Sequence, residues 1–425
     1  MWLKSFGEVR SLFSRLSLIR PSRLIPALVG GQFLLWITLF PEEPTISNGE
    51  PKCHSVGAFV MFCAMFAFLM VGVWWGERGS IRQPEASRSL QEQRAHKLFR
   101  LGIWTFWPVV ISFIYQFQLF IRDPARIVEA LFVPSAINVA AKEMRESAVF
   151  GMASFSTLLS IVTVTMALAQ YSPALCARER RTARLYLVGS GFISLALSTL
   201  GMARQSLLLY ILVVLGAWAI GGHRVSRMRI TLVVTITLLL FWAQTVSRQG
   251  LVIALQSGMP VMSWPVQQQI LAEIVEGYAP SEMNRALILL SYPADPRENY
   301  LYGTAFDRFH PGYDPDGHYV NTVNVLALWY WQLGALGFIL ALGVGYWSGR
   351  TYRSAHRRSF QLDWSTCRLL LVFSGLCTMI RDNFVFLQFF FVPLLFLSIC
   401  ETVWGEREAV QLHVASESVP LHSTD

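Results

Sequence analysis

Apolar runs long enough to span a bilayer recur along the chain, separated by short polar stretches. A spanning helix needs about 20 apolar residues, and such runs lie at 24–40, 55–75, 101–121, 149–170, 230–246, 323–346, 365–380 and 384–401. The stretch 185–221 is too long for one span and breaks at Gly201-Met202-Ala203-Arg204. It predicts two helices joined by a tight turn, and the last two runs meet at a second charged turn, Arg381-Asp382-Asn383. The expected fold is an all-α integral membrane protein with about ten transmembrane helices. Seven of them fall within 24–246 and three within 323–401.

The segments between and beyond the spans differ in kind. Residues 1–23 alternate Leu3, Phe6, Val9, Leu12 and Leu16 with Lys4, Arg10, Arg15 and Arg20, as a helix lying in the inner interface would. The loop 247–322 is much the longest and is not low in complexity. It holds an apolar piece from Leu251 to Ile253, then probable-length helical stretches from Val266 to Gly277 and from Ser281 to Leu290. An aromatic and acidic stretch from Tyr292 to Tyr319 follows, and loops of this length inside a compact protein are usually functional or disordered. The mixed-charge segment 122–148 predicts a short surface helix, and the acidic, serine-bearing tail 402–425 is expected to be disordered.

Charge orients the spans. With the N-terminus inside, the inner segments carry 23 Lys and Arg and the outer segments 11, although the outer segments are longer in total. That bias is the positive-inside pattern and predicts both termini in the cytoplasm, with the large loop on the periplasmic side. Composition agrees: 53% of residues are hydrophobic and 15% charged, against roughly 25% charged in a soluble protein. The net charge of +8 sits in short loops where it sets topology, so it does not point to nucleic acid. The first apolar run has no small-residue cleavage site after it and is expected to remain as a span. The six cysteines show no CxxC or Cys/His spacing, which leaves no metal site and no cofactor motif to read.

Candidate chemistry gathers on the outer side. Arg204, Arg248, Arg285, Arg308, His310, His318 and Arg381 all fall there, with Arg204 and Arg381 at helix–helix turns and Arg248 at the end of a span. A cation near membrane depth faces a cavity or an anionic partner, and the guanidinium fork suits phosphate oxygens. A boundary arginine that only snorkels to the interface needs no ligand. In the stretch 291–321, Tyr300, Tyr302, Asp307, Asp316 and His318 combine aromatic faces with carboxylates, as sugar recognition requires. The alternative is an interfacial loop whose rings rest on headgroups. His318, close before the span at 323, or Asp307 or Asp316 is placed to act as general base toward a hydroxyl.

Three parts of the chain resemble the bacterial O-antigen polymerase family (oligosaccharide repeat-unit polymerases), a relative of the O-antigen ligases. They are the turn Ser198-Thr199-Leu200-Gly201-Met202-Ala203-Arg204, the large late loop, and the exit of that loop, His318-Tyr319-Val320-Asn321, running into Tyr330-Trp331-Gln332-Leu333-Gly334-Ala335-Leu336-Gly337. The resemblance implies a metal-independent glycosyltransferase of the inner membrane that works on undecaprenyl-pyrophosphate-linked glycans at the periplasmic face. It implies Arg204 with Arg248, Arg285 or Arg381 on the pyrophosphate, His318 or a carboxylate on the acceptor hydroxyl, and Tyr300, Tyr302 and the acids on the sugars. It further implies a chain-length regulator protein and a flippase as partners, besides membrane lipids. Ligases place His and Asn side by side, whereas His318 and Asn321 are three apart. A transporter would carry charge at mid-membrane, and here Arg368 is the main charge within a span. A signalling or assembly protein without catalysis is the remaining reading.

Overall fold

The computed structural model describes residues 19–40, 52–78, 88–125, 153–199, 204–221, 257–277, 279–291, 324–357, 361–380 and 388–417, with isolated positions at 42 and between 235 and 254. All regular structure among them is helical. In chain order the helices are α1 (Pro21–Leu39), α2 (Val56–Arg78), α3 (Arg88–Gln116), the short α4 (Gln118–Arg122), α5 (Leu159–Ala169), α6 (Ala177–Thr199) and α7 (Arg204–Ile220). The large loop contributes α8 (Trp264–Gly277) and α9 (Ala279–Ser291), and the chain closes with α10 (Val325–Leu333), α11 (Leu336–Arg357), α12 (Trp364–Thr378) and α13 (Gln388–Glu417). Among the described residues, three helices are long and apolar enough to cross a membrane: Pro21–Leu39, Val56–Arg78 and Ser89–Gln116. Shorter apolar helices cover 155–169, 206–220, 364–378 and 390–404. The chain is a membrane protein by these helices.

Local chemistry sets the helix ends. Pro21 opens α1, where its missing N–H costs nothing. The Glu77 carboxylate, at the end of α2, accepts from the Ser22 amide (3.1 Å), the Ser22 hydroxyl (3.0 Å) and Arg20 Nε (2.8 Å). An acid at a helix N-terminus is favoured by the helix dipole, so this contact also pins the start of one helix to the end of the next. Asp363 caps α12 by accepting from the Thr366 amide at 2.8 Å.

Two groups of helices share α12 as their common wall. On one side stand α1, α2, α9, α10 and α11; on the other α3, α5, α6 and α7. Every residue of α5 except Ser160 is buried, as a helix that is apolar nearly all round requires. The closest packing joins α2 and α11, which run in the same direction. Gly72 and Gly76 of α2 face Gly345 and Gly349 of α11, and a Cβ at any of the four would overlap a carbonyl oxygen of the other helix: Leu342, Tyr346, Leu69 and Val73 respectively. Small residues spaced by four let helix backbones meet where no hydrophobic drive separates protein from lipid. Facing outward, Val60, Val71, Trp74 and Trp75 of α2, Trp104, Trp107 and Ile111 of α3, and Leu185, Val188 and Phe192 of α6 are exposed, a surface suited to lipid.

Several expectations change. The apolar run 323–346 is two helices, broken at Gly334, whose φ of 55° and ψ of −131° lie where only glycine is at ease. The third apolar run belongs to a helix that starts earlier, at Arg88, in sequence with charged residues. The tail is not disordered at once after Trp404, because α13 continues to Glu417; Glu406 to Glu417 holds neither glycine nor proline. Arg368 does not stand alone in its span: it forms an ion pair with Glu401 of α13. The two loop helices form close to the expected bounds; α6 ends at Thr199 and α7 starts at Arg204, and the expected turn between them, residues 200–203, lies outside the described residues. Residues 1–18, 126–150 and most of 230–246 lie outside the described residues.

Candidate functional site at the loop end of the bundle

The site grows from one polar side chain in an apolar helix. Gln32 of α1 is 2% exposed, and a buried amide is tolerated only when its groups are bonded. Its Nε2 donates to the Ile380 carbonyl at 2.9 Å, and its Oε1 accepts from Asn324 Nδ2 at 2.8 Å. Asn324 is itself fully buried and caps α10, its Oδ1 accepting from the Leu326 amide at 3.1 Å. The next amide, Val325, donates to the Met379 carbonyl at 3.0 Å. One glutamine thus ties the point where the large loop re-enters the bundle to the C-terminal end of α12.

A second amide docks the loop helix α9. Asn284, fully buried, accepts through Oδ1 from Trp36 Nε1 (3.2 Å) and from the Cys53 backbone amide (2.8 Å). Its neighbours Met283, Ala286 and Leu287 bury against the core, and Glu282 is 2% exposed. The amphipathic pattern of 279–291 explains this: apolar positions recur three and four apart, and that face closes on α1, α2 and α10. The Cys53 amide therefore anchors the connection between α1 and α2 to helix α9 of the large loop. Burial pushes the Cys53 thiol up from its ordinary value, so it is not an activated nucleophile.

The third feature is a small hydroxyl-lined cavity of about 20 Å³ between α5, α6, α7 and α12, bordered by Ser156, Thr163, Ser194, Ser206, Tyr210 and Ser374. That volume is close to what one water occupies. The Ser194 hydroxyl is buried and makes no hydrogen bond among the described residues, while Tyr210 donates to the Leu187 carbonyl at 3.2 Å. Ser194 lies near the end of α6 and Ser206 near the start of α7, which puts the cavity between the last turns of α6 and the first turn of α7.

Of the residues expected to act, Arg204 is the first residue of α7, and Arg285 sits partly exposed on α9. Arg248, Tyr300, Tyr302, Asp307, Asp316, His318 and Arg381 lie outside the described residues. The backbone that flanks two of them is described: Ile380 directly precedes Arg381, and Asn324 follows His318 by six residues. Both flanks are held by Gln32. Gln32, Asn284 and Asn324 were not singled out from the sequence. Gln32 had a readable signal, an amide inside an apolar run, whereas Asn284 and Asn324 look like ordinary loop polarity until the helices close around them. Among the described residues, no group of three His, Cys, Asp or Glu is placed to hold a metal ion.

No family model matches this chain, and no curated protein or solved structure matches it either.

Proposed function

We propose that the protein is a metal-independent membrane glycosyltransferase that polymerises undecaprenyl-pyrophosphate-linked oligosaccharide units at the periplasmic face of a bacterial inner membrane. In this reading the chain has ten spans with both termini in the cytoplasm, and the end of the bundle built around Gln32 faces the periplasm. The observation that carries it is the convergence at that one end of the last turns of α6, the first turn of α7, the end of α12 and the start of α10 at Asn324. The arginines placed there by the sequence, Arg204 and Arg381, would meet the pyrophosphate and offset the charge that grows on the leaving group. His318, Asp307 or Asp316 would orient or deprotonate the acceptor hydroxyl, and Tyr300 and Tyr302 would hold sugar rings. Arg248 and Arg285 would extend the anionic site.

The test is to delete the gene and resolve surface and lipid-linked glycans by size, then complement with wild type and with Arg204→Ala. The expected result is single repeat units in place of a ladder of lengths, restored by wild type and not by the variant. Full-length polymer stranded on the lipid carrier would instead indicate transfer to an acceptor, the ligase reading. An unchanged glycan profile on deletion would sink both and favour a lipid-carrier or polysaccharide transporter.

A further inference from the structure

At the opposite end of the bundle from Gln32, a groove of about 900 Å³ opens between the first turns of α3, the start of α6 and α13. We propose that it holds an anionic glycerophospholipid, the phosphate between Lys97 and Arg100 and the acyl chains along the outer face of α3. This inference does not depend on the enzymatic reading above.

One wall is a single stripe of α3: Gln93, Lys97, Arg100 with Leu101, and Trp104. Residues three and four apart share a helix face, so the stripe passes from amide to cations to apolar rings within about three turns, or roughly 16 Å at 1.5 Å per residue. Beyond Trp104, which is 76% exposed, the same helix continues outward with exposed Trp107, Ile111 and Ile114. The groove therefore changes from polar to apolar along the same direction that a phospholipid does. A soluble anion would use the cations and leave the apolar half unused.

Among the described residues that line the groove the one acid is Glu179, and its carboxylate is already engaged. Glu179 Oε1 meets His96 Nδ1 at 3.1 Å, and its Oε2 accepts from the Cys176 amide at 2.9 Å. Both oxygens are thereby engaged by His96 and Cys176, and the cations Lys97 and Arg100 line the groove beside them. Paired cations suit a phosphodiester, and basic pockets between membrane helices are where anionic headgroups bind. The far wall is tied to α12: Trp404 packs on Trp364 with ring centroids 5.5 Å apart, and one turn before it Glu401 is ion-paired with Arg368 of α12.

The test is native mass spectrometry of the full-length protein released from membranes containing equal phosphatidylglycerol and phosphatidylcholine. Wild type should retain phosphatidylglycerol preferentially. The double variant Lys97→Gln/Arg100→Gln should lower that retention at least fivefold. A control pair, Arg350→Gln/Arg357→Gln, exposed at the end of α11, should leave retention unchanged. Should the first double variant fail to fold, Trp104→Ala, which removes an exposed ring, must by itself weaken retention. Equal loss from both double variants would overturn the site in favour of diffuse charge attraction. Displacement of the lipid by inorganic phosphate as effectively as by short-chain phosphatidylglycerol would also overturn it, in favour of a free-anion site.

Discussion

Glu179 illustrates how a single residue reports on its surroundings. Burial works against ionisation of its carboxyl, but the Cys176 amide and thiol and the nearby His96 outweigh it and hold the group below its ordinary value of 4.5. A carboxyl lowered on folding adds stability that is full above the unfolded value and is lost as pH falls through the folded one. The melting temperature of wild type should therefore exceed that of Glu179→Gln at about pH 6, with the gap closing as pH drops below about 4.5. Thermal unfolding in detergent across that range checks it, and a gap of constant size down to about pH 3 would mean the carboxylate charge is not what stabilises this end. Gln32 works differently. Its two bonds to Asn324 and Ile380 are made inside the bundle, where leaving either partner unmet costs about 1–3 kcal/mol. The glutamine was visible in the sequence as an exception to an apolar run. Its partners, 292 and 348 residues away, were not.

Between elements, the α2–α11 contact depends on what four glycines lack. A methyl at Gly345 would overlap the Leu69 carbonyl, while a methyl at Gly343, two residues earlier, would meet nothing within 4 Å. Gly345→Ala is expected to destabilise by about 2–3 kcal/mol through forced separation of the helices. Gly343→Ala should be neutral or slightly stabilising, since alanine favours helix over glycine by about 1 kcal/mol. Thermal unfolding of the two variants side by side separates packing from propensity, and equal effects would contradict the contact. The Gly-x-x-x-Gly spacing was present in both segments of the sequence, yet such spacings are common in membrane helices. Only their facing each other makes them an interface. The break at Gly334 was hidden for the opposite reason: the run 323–346 stays apolar through it, so hydropathy has no signal for the turn.

At the scale of the molecule, contacts sort the helix ends into two sets. Arg20, Glu77, His96, Glu179 and Trp404 lie toward one, and Trp36, Cys53, Asn284, Asn324 and Ile380 toward the other. The first set includes the segments richest in basic residues, which the positive-inside pattern assigns to the cytoplasm. Cys176 is exposed in that set. A membrane-impermeant maleimide should leave Cys176 unmodified in intact cells and modify it after permeabilisation, as read by peptide mass spectrometry. Modification in intact cells would invert the topology and with it the side on which the proposed chemistry occurs.

The sequence by itself determined that this is an all-helical membrane chain, where most of its helices lie, and which loop is built rather than merely connecting. Those properties follow from local periodicity and from the cost of placing charge or unpaired backbone in lipid, which each segment meets on its own. Tertiary structure alone decided that α9 docks on α1, α2 and α10, that Gln32 joins the start of α10 to the end of α12, that Arg368 is paired, and that two glycine pairs meet. These are pairings between segments far apart in the chain. A short polar residue carries no mark of its distant partner until the helices are packed, because its burial, and hence its need for a hydrogen bond, exists only in the folded bundle.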